Sequence, residues 1–301
     1  MNSPIFIIGN PRSGTTLLRL MLTCHRNIVI PPECGFAVWL YDKYGHWEKL
    51  EKYSNSLLMG FIRDLMCCRK IETWNVEEKN LFEFLSGRKP ASYSDLVSYI
   101  YEWYGLSQGK SVKRWGDKNN FHIRHILTIK AMFPNACFMH IVRDGRDVAC
   151  SYKKLSERRI DSPYAPRLPN KIEDIAEQWK TNIQIATKAF DTIEWENVYE
   201  IKFEDLILDT EMSLRNLCKQ LGEEYDPSML NYQVMNREYR LEPKEFLQWK
   251  EKTLKPPIRE EAGRYRSELT GQDIHIFQTI AGKQLARYSY VRRNNLTGKF
   301  K

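Results

Sequence analysis

The stretch from Ser3 to His25, "SPIFIIGNPRSGTTLLRLMLTCH", limits what this chain can fold into more than any other feature. "SPIFIIG" is a short apolar run closed by a glycine, which predicts a fully buried strand, and "TTLLRLMLTCH" carries apolar residues at helical spacing. Strand, glycine loop and helix together aim backbone N–H groups and a positive helix end at one point, which makes an anion site. The loop fits the phosphate cradle G-x-x-x-x-G-K-[ST] at Gly9, Gly14 and Thr16, but Thr15 stands where the lysine belongs. That lysine reaches the β- and γ-phosphates of a nucleoside triphosphate. Without it, a loop offering the hydroxyls of Ser13, Thr15 and Thr16 and the fixed charge of Arg12 suits a single phosphate or a phosphosulfate.

Further along, "NACFMHIV" (Asn135 to Val142) and "NVYEIKFEDL" predict two more strands. Helices are expected over roughly Ile172 to Phe190, from Asp209 to Gly222, and from near Thr270, where Asp273 completes a capping-box-like pattern. Strands alternating with helices predict an α/β fold with a central parallel sheet covered on both faces. Between about Trp39 and Ser107 the pattern is helical and rich in aromatic residues, for which helix packing is favoured over ligand stacking. Ser162 to Asn170 holds three prolines and reads as a loop, and the basic stretch from Leu241 to Thr270 reads as irregular. No repeat divides the chain, so residues 1–301 are expected to form one domain with a helical insertion at about 39–110. At 42% hydrophobic residues such a unit can bury a substantial core.

The formal net charge of +8 fits an anionic ligand or partner without choosing among nucleotide, nucleic acid and acidic glycan. The seven cysteines show no C-x-x-C or Cys/His spacing, so no metal site is expected and free thiols in a reducing compartment fit best. The first residues lack the basic start and long apolar core of a signal peptide. No apolar run approaches the ~20 residues that span a bilayer. A soluble, cytoplasmic protein is therefore expected, in which the Asn295-Leu296-Thr297 sequon would have no use. Oligomeric state leaves no trace in the sequence.

The second constellation is "IVRDGRDVACS", with Arg143 and Ser151 eight residues apart. If Arg143 ends a strand and Ser151 lies two turns into the next helix, both face the mouth of the sheet and can bind a second phosphate away from the first. The alternative is that Arg143 and Arg146 pair with Asp144 and Asp147 on the surface, where such pairs contribute little.

These two motifs carry a resemblance. "PRSGTTLLRLML" resembles the 5′-phosphosulfate loop of the sulfotransferases that use 3′-phosphoadenosine 5′-phosphosulfate (PAPS), and "FPNACFMHIVRDGRDVACS" resembles their 3′-phosphate-binding strand and helix. The likeness is greatest to tyrosylprotein sulfotransferases and related bacterial and glycan-directed enzymes. It implies the P-loop NTPase-like sulfotransferase fold, PAPS as donor, PAP as product and no bound metal. It further implies that Arg12, Ser13, Gly14, Thr15 and Thr16 hold the phosphosulfate and that Arg143 and Ser151 hold the 3′-phosphate. By position and type, Glu33 in "IVIPPECGF" matches the family's catalytic glutamate, the base that accepts the proton of the acceptor hydroxyl. Its alternative is a structural pairing with Arg12. Lys118 in "GDKNNFH" matches a lysine that stabilises the leaving phosphate, although Asn119 and Asn120 replace the family's acid and proline.

Phe203 matches an aromatic that packs on adenine, with a buried strand phenylalanine as the alternative. Lys255 and the stretch Gly263 to Arg266, including Arg264, resemble the basic segment that closes over the 3′-phosphate. The implied partner is a hydroxyl acceptor: a glycan, a tyrosine-containing peptide or a small molecule. His25, His122, His125 and His140 form no usable pattern. Two other readings compete. A nucleotide or small-molecule kinase would need a substitute for the lysine and a carboxylate such as Asp144 for Mg²⁺. A basic nucleic-acid-binding protein would need a recognition signature that is not seen, so no nucleic-acid partner is expected.

Overall fold

The computed structural model describes residues 2–49 and 54–291, so the Asn295–Thr297 sequon lies outside the described residues. At its centre is a five-stranded sheet made of β1 (Ile5–Ile8), β2 (Ile28–Val29), β3 (Arg114–Lys118), β4 (Cys137–Val142) and β5 (Val198–Lys202), in the order β2-β3-β1-β4-β5, every pair parallel, with helices on both faces. β1 (Ile5–Ile8) is the middle strand, and none of its residues touches solvent. Strand geometry sends alternate side chains to opposite faces. Phe6 and Ile8 join a core formed with the helices between β2 and β3, while Ile5 and Ile7 pack with α1 (Thr15–Cys24) and the helices after β5. An unbroken apolar run is what a strand covered on both sides requires.

β4 (Cys137–Val142) and β5 (Val198–Lys202) are the other two expected strands. β2 (Ile28–Val29) and β3 (Arg114–Lys118) complete the sheet without being anticipated. β3 is buried throughout although it reads Arg-Trp-Gly-Asp-Lys. Its charges have local partners: Arg114 donates to the main-chain oxygens of Ser3 (2.6 Å) and Leu221 (2.9 Å) and pairs with Glu223 at 3.3 Å. Asp117 accepts from Tyr101 Oη at 2.8 Å and lies 2.9 Å from His122 Nε2. Charge is tolerated at such depth only when so compensated.

The aromatic region forms the helices Asn55–Met66, Glu78–Arg88 and Tyr93–Ser107. Trp47, Trp74, Tyr93 and Tyr101 are buried, and Tyr101 stacks on Trp115 of β3 with centroids 4.2 Å apart. Packing therefore accounts for most of these rings. Trp39 is different: it is 44% exposed and stacks on Phe121. Gly35 permits that approach, since a Cβ there would stand 2.5 Å from the Trp39 ring. The stretch expected to be irregular holds short helices at Lys244–Lys250 and Tyr265–Glu268 and a turn at Arg259–Glu261. The last helix, Gly271–Arg287, begins with Thr270 accepting from the Asp273 N–H at 3.0 Å. Among the described residues no helix is long and apolar enough to cross a membrane.

Candidate active site

All five strands run the same way, so their carboxyl ends share one edge, where open α/β sheets bind ligands. Each strand delivers a residue there. β1 runs into Gly9–Thr16, β2 leads to Glu33, β3 ends on Lys118, β4 precedes Arg143 and β5 precedes Phe203. A cavity of about 790 Å³ opens at this edge, its wall including Arg12, Gly14, Glu33, Arg143 and Phe203.

On the loop side, Gly14 has φ +92°, and a Cβ on it would stand 2.4 Å from the Phe203 ring. Glycine is required on both counts. Phe203 in turn carries the Arg143 guanidinium, 4.3 Å from its ring centre. Arg143 Nη1 donates to the main-chain oxygen of Arg12 at 3.2 Å, and Arg12 Nε donates to Ser151 Oγ at 3.1 Å. The two motifs expected to form separate sites thus meet in one continuous basic cluster. Asn10 fixes the loop beneath them, donating to Tyr152 Oη at 3.1 Å and accepting from Asn182 Nδ2 at 2.6 Å.

Burial, followed by the charge of Arg143, pushes the Arg12 guanidinium down to about 10. Closely spaced buried cations gain from an added anion. Two polar atoms of residues lining the cavity also have no hydrogen-bond partner among the described residues: Asn119 Nδ2 and Arg143 Nε. Buried groups without a partner are uncommon, and each is free to donate to an anion in the cavity.

Surface pairing does not account for Arg143. Arg146 takes Asp144, at 2.7 Å, whereas Arg143 turns to the cavity and Glu261 at 3.1 Å. Asp147 accepts from the N–H groups of Gly263 (2.7 Å) and Tyr265 (2.9 Å), which draws Gly263–Arg266 onto the Arg143 motif. Arg264 is buried beside Glu261 at 3.1 Å. Lys255 is not brought into the cavity: its side chain is exposed and its carbonyl accepts from Tyr232 Oη at 2.7 Å, while Lys252 reaches the wall instead.

On the other side stands Glu33, which makes no pair with Arg12. Its carboxylate accepts from Lys70 Nζ at 2.5 Å, from Lys118 Nζ, and from Lys250 Nζ at 3.3 Å. Lys118 also donates to Thr16 Oγ1 at 3.0 Å, so one ammonium joins the loop to the carboxylate. Burial pushes the Glu33 carboxyl up, but Lys118, Lys250 and Lys70 outweigh it and hold the group well below the usual carboxylate range. Burial pushes Lys118 down to about 8 against the pull of Glu33. Behind them Lys250 pairs with Glu242 at 2.6 Å, and Glu242 pairs with Arg19 of α1 at 2.6 Å.

Lys70 and Lys250 were not found from sequence. Lys70 follows a helix of the insertion and Lys250 ends Lys244–Lys250, and only folding sets both ammonium groups about 5 Å from the Phe246 ring, at 5.1 and 4.9 Å. No spacing signals such convergence. Thr15 donates to Asn120 Oδ1 at 3.2 Å, so the asparagine at that position buttresses the loop.

A family model described as "Sulfotransferase family" matches residues 4–227. The chain belongs to the sulfotransferase family. It is 24% identical to "Protein-tyrosine sulfotransferase A" of Caenorhabditis elegans over 233 residues, covering 77% of this chain and 53% of that protein. The chain spans about half the length of the first curated relatives it matches. Among solved structures, the sulfotransferase domain of the Synechococcus PCC 7002 olefin synthase aligns with TM-score 0.59 at 23% identity, over 93% of this chain and 96% of that one. The sulfotransferase domain from the curacin biosynthetic pathway aligns with TM-score 0.53 at 21% identity, over 95% and 98%. These two share the fold.

Proposed function

We propose that the chain transfers a sulfuryl group from PAPS to a hydroxyl acceptor. The observation that carries this reading is Lys118, whose ammonium touches both Thr16 of the loop and Glu33 on the acceptor side. A group held by the loop and a hydroxyl beside Glu33 would meet at that lysine. The loop hydroxyls and Arg12 would bind the 5′-phosphosulfate, and Arg143, Arg264 and Ser151 the 3′-phosphate. Phe203 would pack beside the adenine.

In the reaction Glu33 accepts the acceptor's proton as the hydroxyl oxygen attacks sulfur in line. The bond from sulfur to the bridging phosphate oxygen breaks, and Lys118 takes up the charge growing on that oxygen. A carboxylate matched by three lysines is a weak base, and the donor remedies this. Its anionic group draws Lys118 away from Glu33, which raises the carboxylate's affinity for a proton. The relatives' names favour a tyrosine hydroxyl as acceptor over a glycan or small molecule, and the Trp39–Phe121 stack at the cavity would receive its flat ring.

The kinase alternative loses its candidate metal ligand: Asp144 lies outside the cavity wall, with its two carboxylate oxygens bound by Arg146 at 3.0 and 2.7 Å. Calorimetric titration with 3′,5′-ADP, 5′-AMP and Mg-ATP, without acceptor, tests the proposal. Binding in which 3′,5′-ADP is preferred supports it, and a preference for Mg-ATP overturns it.

A further inference from the structure

On the loop side of the cavity a negative charge comes from the protein itself. Glu261 ends the turn Arg259–Glu261 and lines the cavity. Its carboxylate accepts from Arg143 Nη2 at 3.1 Å, accepts from Arg264 Nη1 at 3.1 Å on each oxygen, and pairs with Lys252. Arg143 Nη2 also donates to the Glu261 carbonyl at 2.8 Å. Burial pushes the Glu261 carboxyl up, yet Lys252, Arg264 and Arg143 together hold it down to about 2.

Taking Arg143 to receive the donor's 3′-phosphate, as proposed above, we infer that Glu261 is a built-in competitor for that phosphate. Its carboxylate occupies Arg143, Arg264 and Lys252 until the nucleotide displaces it, and so sets both donor affinity and the advantage of carrying a 3′-phosphate.

Three features support displacement over a permanent bond. First, Glu261 leaves a donor unused: Arg143 Nε is buried at the cavity with no hydrogen-bond partner among the described residues. A two-oxygen carboxylate cannot reach every donor, whereas a phosphate offers three free oxygens. Second, charge favours the exchange, because a phosphate monoester carries about −1.5 to −2 at neutral pH against −1 for a carboxylate. Third, the segment is tied at its ends. Tyr232 holds the Lys255 carbonyl at 2.7 Å on one side. On the other, Asp147 holds the N–H groups of Gly263 and Tyr265 at 2.7 and 2.9 Å. Gly263, at φ +78°, and Pro256-Pro257 bound the span that would shift, while Arg259 adds a bond to the Leu208 carbonyl at 2.7 Å.

If Glu261 leaves the arginines free only 1–10% of the time, apparent affinity for a 3′-phosphate falls by about 10- to 100-fold. The test is calorimetric titration of the whole chain and of Glu261→Gln and Glu261→Ala with 3′,5′-ADP and with 5′-AMP. The variants should bind 3′,5′-ADP about tenfold or more tightly while 5′-AMP changes less than twofold. If 3′,5′-ADP is preferred by every protein but binds the variants no tighter, Glu261 is a fixed part of the site. The inference then fails and the donor reading survives. If no protein distinguishes the two nucleotides, the donor reading fails and takes the inference with it. Should both variants misfold, Glu261→Asp keeps the charge on a shorter stem. A gain in 3′,5′-ADP affinity supports displacement there, and an unchanged or weaker affinity overturns it.

Discussion

The two sides of the cavity are built by different means. The loop side comes from unbroken stretches, Gly9–Thr16 and Cys137–Ser151, whose backbone and adjacent side chains converge because the strands carrying them are neighbours. The carboxylate side is assembled from Glu33, Lys70, Lys118 and Lys250, which come from four separate stretches and meet through tertiary packing. An anion cradle made of main-chain N–H groups needs a fixed local conformation, and so leaves a motif. A charge cluster needs only that its members arrive together, and leaves none. Damage to the first should show in nucleotide binding, and damage to the second in turnover.

Lys118 belongs to both sides, so its loss should have the largest effect. Lys118→Met is expected to lower kcat by about 10³-fold, the scale of removing a group that stabilises transition-state charge, measured with any acceptor the protein turns over. A drop confined to KM would return Lys118 to the loop side alone. Next is Glu33→Gln, for which kcat should fall about 10²-fold. Nucleotide affinity should stay level or rise, since Lys70 and Lys118 lose their anion while Lys250 keeps Glu242. Weaker nucleotide binding in this variant would mean that Glu33 organises the loop, and the division between the two sides would collapse.

Arg143→Ala acts on the loop side. It should weaken 3′,5′-ADP by about 30-fold or more, in line with the cost of truncating one partner of a buried charge pair. Binding of 5′-AMP should change by only a few-fold, and equal losses for both nucleotides would remove the 3′-phosphate from Arg143. The smallest effect is one of pH. Lys118 is positive below about 8 and loses its proton above it, so kcat/KM for the donor should fall with rising pH beyond that point. The decline approaches about tenfold per pH unit. Lys118→Arg should carry its charge through that range, and a wild-type profile flat to pH 10 would contradict the assignment.

The fold was largely legible because β1 and β4 are apolar runs buried on both faces, each followed by a loop of recognisable type. β3 was not legible. Arg114, Asp117 and Lys118 are polar residues kept inside by Glu223, Tyr101, His122 and Glu33, and of those partners only His122, five residues after Asp117, is near in sequence. On the loop side the two motifs pointed to Arg12, Arg143 and Ser151, which the fold brings together. The continuity of that side was hidden, since the bond from Arg12 to Ser151 depends on β1 and β4 lying side by side. Lys252 was missed and Lys255 chosen because a proline-broken basic stretch has no period from which to tell which lysine turns inward.

The ammonium shared by Thr16 and Glu33 has a consequence for timing. If Glu33 is the base, as proposed, an acceptor that arrives first would find it already neutralised, and so would be neither deprotonated nor held by it. A donor that arrives first would loosen that base and prepare the second encounter. The proposed mechanism thus predicts an unequal order of arrival, with the nucleotide leading.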